Sequence, residues 1–267
     1  MTACRFFKSA AAAAAICFLS PGYSQSRTQN RPVREAARPT AQRSSDAQAL
    51  FDDTNRERVA QGLQPLHWDA TLALAARDHA RLMAVENLLS HQCPGEPPLD
   101  QRVAQAGAKF SMIAENVAVG PDPASIHDGW MHSPGHRKNI LNAEVTAVGI
   151  ATMRGNGGLF AVQDFSRPVA NLSLQQQEGK VISLLKETAL LGASVSEDAR
   201  KTCGMDRGFT GASALYVIRF EVTDLDKLPD QLLQKIRSRK YQNAAVGACR
   251  DGDNGGFTRY RIAVLLR

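Results

Sequence analysis

The sequence predicts an α+β protein: a first unit with helices packed on an antiparallel sheet, followed by a second, small α+β unit. Three observations predict it. Segments with apolar residues at helical spacing come first, between residues 46 and 141. Two β-type runs, AVGIATM and LFAVQDFS, then flank RGNGG, a Gly/Asn turn that reads as a hairpin. Beyond a junction at residues 171–177, helix and strand patterns begin again in a second, shorter unit at residues 172–267.

Taken in order, the chain opens MTACRFFKSAAAAAAICFLSPGYSQ. Arg5 and Lys8 form a basic start, and Ala10 to Leu19 form an apolar run too short to span a bilayer, which needs about 20 such residues. Gly22-Tyr23-Ser24 is a small-x-small cleavage pattern, so residues 1–24 read as a signal peptide. A lipoprotein anchor at Cys17 is a poorer reading, because Ile16 is bulky where a small residue is expected. No other stretch could cross a membrane, which implies no transmembrane segment after cleavage. Residues 25–45, rich in Arg, Gln, Ser and Pro, read as a basic disordered linker.

Residues 46–168 form the first folded unit. DAQALFDDTNRERVAQG places Ala47, Leu50, Phe51, Thr54, Arg58 and Val59 near helical spacing, with Gly62 as a stop. In the next segment Asp69 is a helix N-cap, and Leu72, Ala75, Ala76, His79, Leu82 and Met83 share one face. A weaker helix covers Asp100 to Ala106, and another covers Pro123 to Met131. SPGHRKNIL starts a further helix: Ser133 is placed to cap it, with Pro134 at the first position and His136 at the third. A capping hydroxyl accepts a backbone hydrogen bond, which argues against Ser133 as a nucleophile paired with His136. The hairpin ends the unit. The second unit reads helix (Ser173–Leu191), short helix before Cys203, strand ALYVIRFEVTDL, helix PDQLLQKIRSR, and two strands around DGDNGG. VGIATMRGNGGLFAV echoes VGACRDGDNGGFTRY. Because the preceding helices do not match, the echo reads as two hairpins sharing turn chemistry rather than as a decayed duplication.

Of the formal charge of +6, residues 1–24 supply +2 and residues 25–45 supply +4. The body is neutral, so it lacks the cationic footprint of nucleic-acid binding. Cys4 and Cys17 leave with the signal. Cys93, Cys203 and Cys249 remain, and Cys203 and Cys249, both in the second unit, are expected to pair. Cys93 is then free or bridges two molecules.

LLSH (Leu88–His91), AENVA (Ala114–Ala118), GWMHSPGHRKNIL (Gly129–Leu141) and the VGIA…FAVQDF hairpin occur in that order. Together they resemble the CAP superfamily of cysteine-rich secretory, antigen-five and pathogenesis-related proteins, in its compact bacterial branch. The resemblance covers residues 46–167. It implies an α-β-α sandwich with a cleft in which His91 and His136 hold a divalent metal such as zinc, weakly bound. Glu115 lines that cleft. Ser133 stands where eukaryotic members carry a second glutamate, which weakens a two-carboxylate mechanism. HExxH, CxxC and GxSxG are missing. Trp130 and Asn116 are expected to be structural.

Read from the residues alone, Glu115 is a helix-start or turn carboxylate, His79 a core histidine, and His127 and His132 solvated. Asn139 is expected to bond loops. The reading is an exported protein, secreted or periplasmic, that binds a metal, a small hydrophobic ligand or a cell-envelope component in its cleft without turnover. The alternatives are a metal-assisted hydrolase, peptidase-like, with Glu115 as base, and an envelope structural adaptor acting through residues 172–267.

Overall fold

A computed structural model describes residues 43–188, 192–211, 213–250, 252 and 256–267. The expected signal peptide and most of the expected linker lie outside them. The linker's last residues, 43–45, are ordered, contrary to expectation. Arg43 lies 4.0 Å from the Trp68 ring centroid and 4.7 Å from that of Phe51, a stacking that a planar cation favours. The Ser44 hydroxyl accepts from the Ala47 N–H and starts the first helix.

In the first unit the elements are α1 (Ser45–Ala60), β1 (His67–Trp68), α2 (Ala70–Glu86), α3 (Leu99–Gln105), β2 (Phe110–Gly120), α4 (Pro123–His132), α5 (Pro134–Ile140), β3 (Ala147–Gly155) and β4 (Gly158–Pro168). The strands form one sheet in the order β1-β3-β4-β2. β1 runs parallel to β3, and the other pairs are antiparallel. α1 buries Ala47 and Leu50 against Val148, Ile150 and Phe165. α2 covers the other face, where Ala76, Ala80 and Met83 meet Ala151, Phe160 and Val162. The approach is tight: a Cβ on Gly149 would lie 2.1 Å from the Ala73 amide nitrogen, so only glycine fits there. Two helical layers on one sheet make the expected α-β-α sandwich.

β2 was not read from the sequence. FSMIAENVAVG shows no apolar/polar alternation, because Glu115, Asn116 and Val117 are buried in succession. Glu115 therefore sits in mid-strand rather than at a helix start or turn. β1 is too short to carry a periodicity at all.

The second unit contains α6 (Leu174–Glu187), β5 (Gly192–Val195), α7 (Glu197–Cys203), β6 (Tyr216–Val222), α8 (Asp230–Arg237), β7 (Asn243–Cys249) and β8 (Tyr260–Leu266). Its sheet runs β5-β7-β8-β6, with β5 parallel to β7 and the other pairs antiparallel. Cys203 and Cys249 are joined across 46 positions, a closure that contributes about 4 kcal/mol in the chain-entropy model. Cys93 is a free, buried thiol. The two units touch: Phe257 packs edge-on to Phe110, with ring centroids 5.2 Å apart. The Tyr260 hydroxyl donates to the Ala170 carbonyl.

His127 corrects the sequence reading. It is buried, not solvated, and among the described residues neither ring nitrogen has a hydrogen-bond partner. Burial lowers its pKa below the ordinary value of 6.5. As pH falls through about 6.5 the unfolded chain takes up a proton that the folded chain resists, so stability declines from there down to the folded-state pKa. His127→Leu should make that acid decline shallower in urea titrations from pH 7 to pH 5. Equal slopes for both proteins would contradict it.

Candidate functional site

The site is organised by two adjacent residues of β2, an edge strand of the first sheet. Neighbouring strand residues point to opposite faces, so Glu115 and Asn116 reach different layers. Glu115 faces the α2 side, where it pairs across the sheet with Asp164 of β4. Asn116 faces the α1 side. Each fixes one of the two histidines expected to form the site.

On Glu115's side, Oε1 accepts from His91 Nδ1 at 2.8 Å. Oε2 accepts from the Arg102 guanidinium of α3. Glu115 and Arg102 side chains are 2 % and 5 % exposed, while His91 is 62 % exposed. The buried carboxylate thus grips an outward-facing imidazole by one nitrogen, leaving Nε2 free. The segment carrying His91 is fastened by the same group of side chains. Arg102 donates to the His91 carbonyl at 3.0 Å. His79 Nε2 donates to the Ser90 carbonyl at 2.9 Å, and its Nδ1 lies 2.8 Å from Glu96. Glu96 accepts in turn from the Cys93 N–H.

On the other side, Asn116 Nδ2 donates to the His136 carbonyl and to Gln163, each at 3.2 Å. Asn139 donates to the Glu115 carbonyl at 3.1 Å and to Asn116 Oδ1 at 2.9 Å. Gln163 Nε2 reaches Thr54 of α1 at 2.7 Å. This buried amide ladder holds the first turn of α5, with His136 as its third residue. Trp130 is buried and donates from its indole N–H to the Val117 carbonyl at 3.3 Å.

The electrostatics separate the two imidazoles. The hydrogen bond to Glu115 raises the His91 pKa above 6.5. Burial first, then the charge of His91, lowers that of His136. Burial, with the neighbouring charge of Glu115, holds the Asp164 carboxyl well above the usual carboxylate range. Asp164 is fully buried and, among the described residues, has no hydrogen-bond partner of good geometry; burial beside Glu115 disfavours its charged form.

Ser133 departs from expectation. It occupies the N-cap position of α5, but its hydroxyl makes no cap hydrogen bond. Its N–H instead closes α4 on the Gly129 and Trp130 carbonyls. With the next helix beginning immediately, Pro134 supplies the preset φ that starts α5. A depression of about 850 Å³ beside α5 is lined by Met131, Pro134, Arg137 and Leu141, not by His91, Glu115 or His136.

His79, Glu96, Arg102, Gln163 and Asp164 were not expected in the site. A signal existed for Arg102: it lies beside Val103 on the buried face of α3, and a buried guanidinium requires carboxylate or carbonyl partners. His79, Cys93 and Glu96 place potential ligand atoms within 4.8 Å of one another. Both nitrogens of His79 are already committed to Glu96 and Ser90.

Residues 51–165 match the cysteine-rich secretory protein family, CAP. They form a CAP domain. YkwD of Bacillus subtilis is 39 % identical over 98 residues, 36 % of this chain and 38 % of that protein. The Bacillus subtilis membrane protein YlbC is 36 % identical over 107 residues, 39 % of this chain and 31 % of that protein. The chain therefore spans well under half of either relative. Among solved structures, an extracellular SCP-domain protein of Bacillus anthracis is similar over 45 % of this chain and 39 % of that one. The two share 34 % identity, with a TM-score of 0.42. An outer surface protein of Borrelia burgdorferi is 20 % identical over 46 % of this chain and 92 % of its own, with a TM-score of 0.43.

Within the CAP domain, Arg102→Met should lower stability by about 3–5 kcal/mol, since it leaves the buried Glu115 carboxylate short of its cationic partner. Adding Glu115→Gln should recover part of the loss. Urea unfolding checks both, and a loss under about 1 kcal/mol for Arg102→Met would contradict the pairing.

Proposed function

We propose that this CAP-domain protein is exported to the cell envelope or beyond and binds a divalent metal at His91 and His136, without turnover. The observation that carries the proposal is the state of Glu115. Both of its oxygens are engaged, one by His91 and one by Arg102. A carboxylate so held is poorly placed to take a proton from water, which weighs against the hydrolase reading. It is well placed to orient an imidazole. Metal-binding histidines commonly give their second nitrogen to a carboxylate, which fixes the ring and raises its basicity.

The residues fit a zinc-like ion. His91 offers an exposed Nε2, and the lowered pKa of His136 keeps that ring neutral and available as a donor. Two protein ligands, with solvent completing the shell, give weak and exchangeable binding. The raised pKa of His91 sets the pH dependence: a metal must displace the proton that Glu115 favours, so affinity rises with pH. The Cys203–Cys249 bridge supports an oxidising compartment, and no described helix is long and apolar enough to cross a membrane.

Calorimetry with zinc on the mature chain should find binding that weakens as pH falls through the raised pKa of His91, above 6.5, and that disappears in the double variant His91→Ala, His136→Ala. Far-UV circular dichroism should show that the variant keeps its fold. Equal zinc affinity in both proteins would overturn the metal reading.

A further inference from the structure

The two sheets share more than an Asn-Gly-Gly sequence between their hairpin strands. Four strands can be ordered and directed in about a hundred ways before connection rules prune them, yet both sheets follow one plan. An edge strand runs parallel to the first strand of a hairpin, and the other edge strand pairs antiparallel with the second. Chain order agrees as well. A helix precedes the parallel edge strand, a second helix follows it, then come the antiparallel edge strand, further helix and the hairpin.

Register makes the comparison residue by residue. The N–H of Asp69, which caps α2, donates to the Val148 carbonyl at 2.9 Å. The N–H of Ser196, which precedes α7, donates to the Val246 carbonyl at 3.1 Å. The next residue on each hairpin strand is glycine. A Cβ on Gly149 would lie 2.1 Å from the Ala73 nitrogen, and one on Gly247 would lie 2.1 Å from the Arg200 nitrogen. Ala73 and Arg200 are each the fourth residue after their cap. The opposite faces agree too. α1 packs on Val148, Ile150 and Phe165, and α6 packs on Val246, Ala248 and Val264, the positions that the shared register equates.

We infer that residues 172–267 are a second, shortened copy of the fold of residues 46–168, in which the imidazole site has been replaced by a structural clamp. The correspondence shows what was exchanged. Asp164, opposite Gly149, becomes Ala263, opposite Gly247. Glu115, opposite Asp164, becomes Arg219, opposite Ala263. The Arg219 guanidinium donates to the carbonyls of Thr202 and Gly208, so it fastens the connection after α7 and presents no imidazole. The sequence after His136 contains no histidine.

The disulfide fits the same scheme. Cys203 corresponds to Ala76 and Cys249 to Ala151, and those alanines share one buried cluster of the first unit. α2 has 17 residues with which to bury a face; α7 has 7. A helix that short is marginal without tertiary support, and the covalent bond supplies what the missing turns would have buried. The sequence echo between the two hairpins is therefore part of a repeated fold rather than reused turn chemistry. The chain has one imidazole site and one copy that serves as scaffold.

The test transplants the clamp. The full mature chain carrying Ala76→Cys and Ala151→Cys, with Cys93→Ala to prevent mispairing, should form a second disulfide on oxidative folding. Peptide mapping should recover Cys203–Cys249 together with the new bridge. A folded variant in which both new thiols stay free while Cys203–Cys249 forms would overturn the correspondence. If the variant does not fold, a crystal structure of the unaltered mature chain decides. Superposing β5, α7, β6, β7 and β8 on β1, α2, β2, β3 and β4 should bring Gly247 onto Gly149 and Arg219 onto Glu115. A shift of register at either pair would overturn it.

Discussion

The buried pair between Arg102 and Glu115 is the constraint on which the site depends. Moving a carboxylate and a guanidinium out of water is costly, and their mutual attraction offsets that cost only when further hydrogen bonds satisfy the remaining atoms. Here those bonds go to the segment that carries His91. Arg102 takes the His91 carbonyl, and Glu115 takes the ring. Removing the pair would release the imidazole and its backbone together, so stability and site geometry are the same problem in this part of the chain.

The edge position of β2 gives the pair its use. At the edge, Glu115 bonds a loop residue that stays exposed, while Asn116 holds the start of α5 from the other face. One dipeptide thereby positions groups in two layers of the sandwich. Burial and the charge of Glu115 both disfavour ionisation of Asp164, its partner on β4. Two ionised carboxylates there would repel in a medium that screens poorly.

Most helices of the first unit were legible because their apolar spacing and caps agree, as for Asp69 and α2. The hairpin was legible because β-type runs flank a Gly/Asn turn. β2 was not, since its buried polar residues erase the alternation that marks a strand. The candidate histidines His91 and His136 came from an ordered set of motifs, not from any local signature. Their supports, Arg102, Glu96 and His79, lie in segments whose partners are fixed only by tertiary packing. His127 was misread for the same reason: its burial against α1 is set by helix packing, which one helix's sequence does not reveal. In the second unit the strand and hairpin patterns gave the fold class, but the likeness of the two sheets rests on backbone register, of which the echo of VGIATMRGNGG in VGACRDGDNGG is the trace in the sequence.

Glu115 holds His91 through Nδ1 and turns Nε2 outward. Nitrogen-15 NMR of the His91 ring, followed through its titration, tests this most directly. Neutral His91 should carry its proton on Nδ1, with a pKa above 6.5 that falls toward 6.5 in Glu115→Gln. A neutral ring protonated mainly on Nε2, with a titration unchanged by Glu115→Gln, would contradict it.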